Sequence, residues 1–143
     1  MPSGLASEPL FLLDESLSPN VAKALKLVEY SIVTVAEAFG GRRGVLDPEI
    51  IEWCGDHDAI WIYADERARK QHKKSMLAAR IRSLWVYRPR GAMSSKDELR
   101  ILSYVLPDFI DKCEKKPRVL HYQASASGEP PRRPRITLKE LLL

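Results

Sequence analysis

Leu10-Phe11-Leu12-Leu13-Asp14-Glu15 and Ile60-Trp61-Ile62-Tyr63-Ala64-Asp65-Glu66 decide the fold class of this chain. Each is an apolar run too short for a globular helix, closed by acidic residues, as expected of a strand buried on both faces. Such strands belong to open parallel sheets, where ligands bind in the crevice outside the carboxyl ends. Both runs deliver an Asp to that edge. Two carboxylates there repel each other unless a cation lies between them, and a divalent ion that also grips phosphate oxygens satisfies both. Asp14 and Asp65 can each be read alone as a turn or helix-cap residue; their equivalent places after two strands argue for a shared site.

Around these runs strands and helices alternate. Ser18-Pro19 opens a helix carrying Val21, Ala24, Leu25 and Val28, and the β-branched run Ser31–Val35 reads as a strand. Asp47-Pro48-Glu49 opens another helix, with Asp as N-cap and Pro at the first helical position. A polar, basic helix follows Glu66 to about Ala79, and Ser83–Tyr87 is a strand. Ser94 or Ser95 caps the next helix, with Glu98 completing a capping box from Ser95. Its apolar stripe runs from Leu99 to Ile110, and Pro107 should kink it. Pro117–Tyr122 reads as a last strand.

The pattern predicts an α/β, three-layer domain with a mostly parallel central sheet of about five strands and helices on both faces. It assigns residues 1–122 to that domain. Residues 123–143 read as a basic, Pro-rich linker followed by a short Leu-rich end capped by Thr137. Leu138–Leu143 either packs on its own domain or docks on a partner or second copy.

The 143 residues suffice for one hydrophobic core without disulfides. Cys54 and Cys113 lie in predicted helices outside any zinc spacing, as small buried hydrophobes in a reducing compartment. The start lacks a basic segment followed by a long apolar run, and no stretch approaches the ~20 apolar residues of a membrane span. A cytoplasmic protein with no membrane partner is expected. Charge is lopsided: residues 1–66 carry 12 Asp/Glu and 4 Lys/Arg, whereas residues 67–90 carry 9 Lys/Arg and no acid. An acidic front beside a basic flank suits a metal site next to a polyanion track, although a solvated helix face gives the same pattern.

Asp14, Asp47 and Asp65 are the candidate catalytic residues. Asp47 can cap its helix and still face the crevice. Glu15 and Glu66 either complete a metal site or stay exposed; Glu49 and Glu52 suit a solvated face. His57, His72 and His121 lie on different elements without ligand spacing. Arg67, Arg69, Lys70 and Arg88 are candidates for holding phosphate, among the aromatics Trp85 and Tyr87. Trp85, inside a strand, also suits the core. Gly40-Gly41-Arg42-Arg43-Gly44 is a weak phosphate-loop candidate or a plain connection. There is no dinucleotide-binding, Walker or nucleophile-elbow motif.

Leu12-Leu13-Asp14-Glu15-Ser16-Leu17-Ser18-Pro19, followed by Ala24-Leu25, resembles the opening motif of PIN-like domain nucleases, the family that includes VapC-type toxin ribonucleases. Leu46-Asp47-Pro48-Glu49-Ile50 is similar to the family's second acidic segment and Ile60–Glu66 to its third; the resemblance extends from about Leu10 to Tyr122. It implies that Asp14, Asp47 and Asp65 bind Mg2+ or Mn2+ and that the chain cleaves RNA. It also implies a cognate antitoxin as partner; the Leu-rich end, Leu138–Leu143, separately leaves a homodimer open. The chain departs from the family at Arg67, where many relatives carry a further acid, and at Ala64, where many carry a hydroxyl residue. Two rival expectations are a catalytically weak nucleic-acid binding module and, from the Asp-Glu pair after the first strand, a phospho-acceptor receiver domain.

Overall fold

The computed structural model describes residues 8–87, 93–115, 120–127 and 135–143. In chain order the elements are β1 (Leu10–Leu13), α1 (Pro19–Leu27), β2 (Ile32–Thr34), α2 (Val35–Ala38), α3 (Asp47–His57), β3 (Ala59–Tyr63), α4 (Glu66–Ala79), β4 (Arg82–Tyr87), α5 (Ser95–Lys115), β5 (His121–Ser127) and β6 (Arg135–Glu140). The strands form one six-stranded sheet in the order β2-β1-β3-β4-β5-β6. All neighbours are parallel except β6, which returns antiparallel to β5.

Period-two alternation within uniformly apolar strands explains the two cores. Phe11, Leu13, Ile60 and Ile62 pack with Val21 and Leu25 of α1 and with Ile101, Leu102 and Phe109 of α5. Leu12, Trp61 and Tyr63 face the other way, onto Ile50 and Ile51 of α3 and Ala68 and Met76 of α4. Every residue of β3 is buried. Full burial of a large apolar side chain contributes roughly 1.5–3 kcal/mol, and an unpaired charge there would cost more, so the carboxylates are confined to the strand ends.

Several local expectations are corrected. The second strand stops at Thr34, because Thr34 and Glu37 close a reciprocal capping box that starts α2 at Val35. The N-cap of α3 is Leu46, not Asp47: Glu49 reaches back to accept the Leu46 N–H (2.9 Å), so Asp47 is the first helical residue and its carboxylate is not a cap. The box at α5 pairs Ser94 with Asp97. Glu98 is instead 6 % exposed and accepts the Ser18 N–H at 2.8 Å, joining α5 to α1. α5 runs through Pro107 without a break, with Val105, Leu106 and Phe109 buried around it.

The last strand was expected to end at Tyr122. It continues to Ser127, and residues 135–140 pair back on it as β6, so Thr137 sits in a strand rather than at a cap. Small residues in 123–127 allow this: Ala124 and Ala126 are buried. Leu141 and Leu143 pack partly against the core lined by α3 and α4. The segment 128–134 lies outside the described residues, as does Arg88. No helix among the described residues is long and apolar enough to cross a membrane.

Candidate functional site

The sheet reverses its order of growth at β1, which has β2 on one side and β3 on the other. In an open α/β sheet that switch point opens a crevice at the carboxyl ends of the flanking strands. Asp14 follows β1, and Asp65 follows β3 by way of Ala64. Asp47 starts α3, whose far end feeds the amino end of β3, so its first turn lies at the carboxyl edge too.

Asp14 is held on both oxygens. Its backbone N–H donates to the Ile62 carbonyl (2.9 Å), extending the β1–β3 ladder by one step. Oδ2 accepts the Ser16 N–H (3.1 Å) and hydroxyl (2.6 Å), and Oδ1 accepts the Trp61 indole N–H (3.3 Å). The Ser16 Oγ in turn accepts the Ala64 N–H (2.9 Å), so one hydroxyl links the ends of both strands. Asp65 caps α4: its Oδ1 accepts the Arg67 N–H at 3.0 Å and lies 3.4 Å from the Arg67 Nε. The Asp47 Oδ2 lies 3.6 Å from the His72 Nε2, where α4 leaves helical geometry (φ −119°, ψ 21°).

Asp47 feels the other two carboxylates. Burial raises the Asp47 pKa above the ordinary value, the Asp14 charge raises it further and Asp65 adds to the rise, while His72 opposes it. Burial, then the Asp14 charge, push the Cys54 thiol up to about 12, so it stays protonated as an inert core residue. As placed, no three His, Cys, Asp or Glu side chains among the described residues close around a single point. The donor chemistry nonetheless suits a hard divalent cation. All three groups are carboxylates, and the mutual repulsion recorded at Asp47 is what a cation relieves.

A family model described as "PIN like domain" matches residues 9–87, more than half of the chain and the whole segment that carries Asp14, Asp47 and Asp65. The chain belongs to the PIN-like domain family. No curated protein and no solved structure matches it. Membership agrees with the three-layer architecture and makes this a nuclease-type fold, and it sets aside the receiver reading.

The other candidate residues of this PIN-like domain fall into distinct places. Glu66 opens α4 and pairs with Lys70 (3.1 Å). Arg67, where the family resemblance led to the expectation of an acid, lies against Asp65 and is largely exposed. The Arg69 guanidinium sits over the Trp85 ring, 4.6 Å from its centroid. Trp85 itself is core, 4 % exposed. Glu15 lines a cavity beside Asp14. Glu49 is not merely solvated: it pairs with Arg42.

His72, Ser16 and Trp61 are the site neighbours that sequence reasoning missed. His72 follows the cap residue Asp65 by seven, two helical turns, which places both on one face of α4. Ser16 carries the familiar spacing of an Asx turn, accepting side chain two residues before the donor. Trp61 has no comparable local signal, because its contact to Asp14 crosses from β3 to β1.

Proposed function

We propose that this PIN-like domain is a metal-dependent endoribonuclease, the toxin of a toxin–antitoxin pair, acting through Asp14, Asp47 and Asp65. The observation that carries this reading is the placement of Asp14, Asp47 and Asp65, from three different elements, along the carboxyl edge of the sheet at its switch point.

Asp14, Asp47 and Asp65 are the residues that would hold Mg2+ or Mn2+, with Glu15 and Glu66 as further oxygen donors. When bound, such an ion supplies charge against the phosphate oxygens and a coordinated water of lowered pKa. Ser16 and Trp61 fix the orientation of Asp14, which limits the reorganisation needed at the reacting phosphate. Arg67, Arg69 and Lys70, in the first turns of α4 after Asp65, neutralise the RNA backbone, with Arg88 a further candidate from the sequence. A cognate antitoxin would inhibit by placing an Arg among the carboxylates, where its charge replaces that of the cation.

The test is incubation of purified protein with single-stranded RNA in Mg2+, Mn2+ or EDTA, beside Asp14→Asn. Cleavage that needs metal and vanishes in the variant supports the reading. A second reading, a binding module with weak catalysis, is favoured by one contact: the Arg67 guanidinium lies 3.4 Å from Asp65 where relatives carry an acid. Salt-sensitive RNA binding by folded protein, without cleavage in either metal, selects that alternative.

A further inference from the structure

A cavity of about 420 Å³ opens beside Asp14, between the start of α1, the first turn of α2 and the Gly-Arg loop that follows it. Its size lies within the range of roughly 300–1,000 Å³ typical of small-molecule pockets. Leu13, Leu17 and Val35 give it apolar walls, and Ala36 lies at an exposed part of its rim. Its polar edge is charged: Asp14 and Glu15 on one side, Arg42 and Arg43 on the other.

The loop is built to hold those arginines there. Gly40, Gly41 and Gly44 have φ of +64°, +80° and +69°, and the Gly41 N–H donates to the Ala36 carbonyl at 2.7 Å. Positive φ is costly for residues with a Cβ, so this turn depends on glycine. Arg42 is braced, paired with Glu49 and lying 5.5 Å from the centre of the Phe39 ring. Arg43 has no ion pair among the described residues. An apolar slot with a cationic lip, sharing Asp14 with the carboxylate cluster, complements one kind of group: a flat, apolar-faced ring attached to a phosphate.

We propose that the slot takes one unpaired base of the substrate strand, next to the phosphate at Asp14, with Arg43 on the neighbouring phosphate. This rests on the nuclease reading. Aliphatic walls take the face of any base by removing it from water. The Glu15 carboxylate, exposed and without a partner among the described residues, accepts a hydrogen bond from the exocyclic amine of cytosine, adenine or guanine, which uracil lacks.

The experiment is binding of labelled single-stranded 12-mer RNA in EDTA, so that no cleavage intervenes. One abasic residue is moved along the strand, with wild type beside Ala36→Phe, which plugs the slot from an exposed position. For wild type, the abasic residue weakens binding about tenfold at one position and little elsewhere. Ala36→Phe binds the intact RNA as weakly as wild type binds that abasic strand, and the step disappears. Uracil at that position binds worse than cytosine, and Glu15→Gln narrows the gap. A flat abasic scan in wild type overturns the slot, as does a step that survives in Ala36→Phe. If Ala36→Phe fails to fold, the wild-type scan alone decides. Uracil binding as well as cytosine overturns the role of Glu15. Failure of the nuclease reading looks different: the same intact RNA stays uncleaved when Mn2+ replaces EDTA, whatever the abasic scan shows.

Discussion

Acid should detach the β5–β6 edge of the sheet, and His121 sets the pH at which it does so. His121 is 5 % exposed; its Nδ1 lies 2.7 Å from the Ser83 Oγ, its register partner on β4, and its Nε2 is buried with no hydrogen-bond partner among the described residues. Burial lowers its pKa from 6.5 to about 4. The folded state therefore resists a proton that the unfolded chain accepts. The associated stability is complete above pH 6.5 and is lost as pH falls towards 4, a total of about 3 kcal/mol. Asp47 and Glu98, whose pKa values are raised, act in the opposite direction. They cancel when wild type is compared with His121→Gln, which keeps a hydrogen-bonding group beside Ser83 but does not titrate. The assay is urea unfolding of both proteins between pH 7.5 and 4. Relative to the variant, wild type should lose stability at a slope approaching about 1.4 kcal/mol per pH unit between the two pKa values. A difference independent of pH would refute the argument and mean that His121 takes up its proton as readily in the folded state as in the unfolded chain.

Glu98→Gln keeps an acceptor for the Ser18 N–H and removes a buried charge. Because burial raises the Glu98 pKa, wild type loses stability as pH rises above the ordinary carboxylate range; urea unfolding at pH 5 and 7 should show that loss reduced in the variant. Gly41→Ala meets no atom within 4 Å, so its cost is backbone strain at φ +80°, about 1–2 kcal/mol in the unfolding free energy. Arg67→Asp restores the acid that many relatives carry and removes the cation at Asp65. It should increase cleavage rate in Mn2+, whereas an unchanged rate in single-turnover assays would show that Arg67 does not limit the chemistry.

The parallel α/β frame was legible because β1 and β3 are fully apolar and end in acids, and because every connection between parallel strands must carry the chain back across the sheet. That geometry alone puts Asp14, Asp47 and Asp65 on one edge. The continuation of β5 and its pairing with β6 were hidden because the buried positions beyond Tyr122 are the small residues Ala124 and Ala126, which carry no strand signal. Asp47 has the right type for a cap, yet Glu49 accepts the Leu46 N–H and moves the cap of α3 one residue earlier; of the two serines that suit the start of α5, Ser94 is the one used, with Asp97 rather than Glu98 closing the box. Trp61 reaches the site from β3 to β1, which no local spacing encodes.

The account stands on Asp14, Asp47 and Asp65 acting together on one divalent cation, and calorimetric titration of metal-free protein with Mn2+ tests that most directly. It predicts a single site per chain, weakened at least about tenfold by Asn at any one of the three positions. Folded wild-type protein that takes up no Mn2+, or an Asp47→Asn variant that binds it as wild type does, would contradict it.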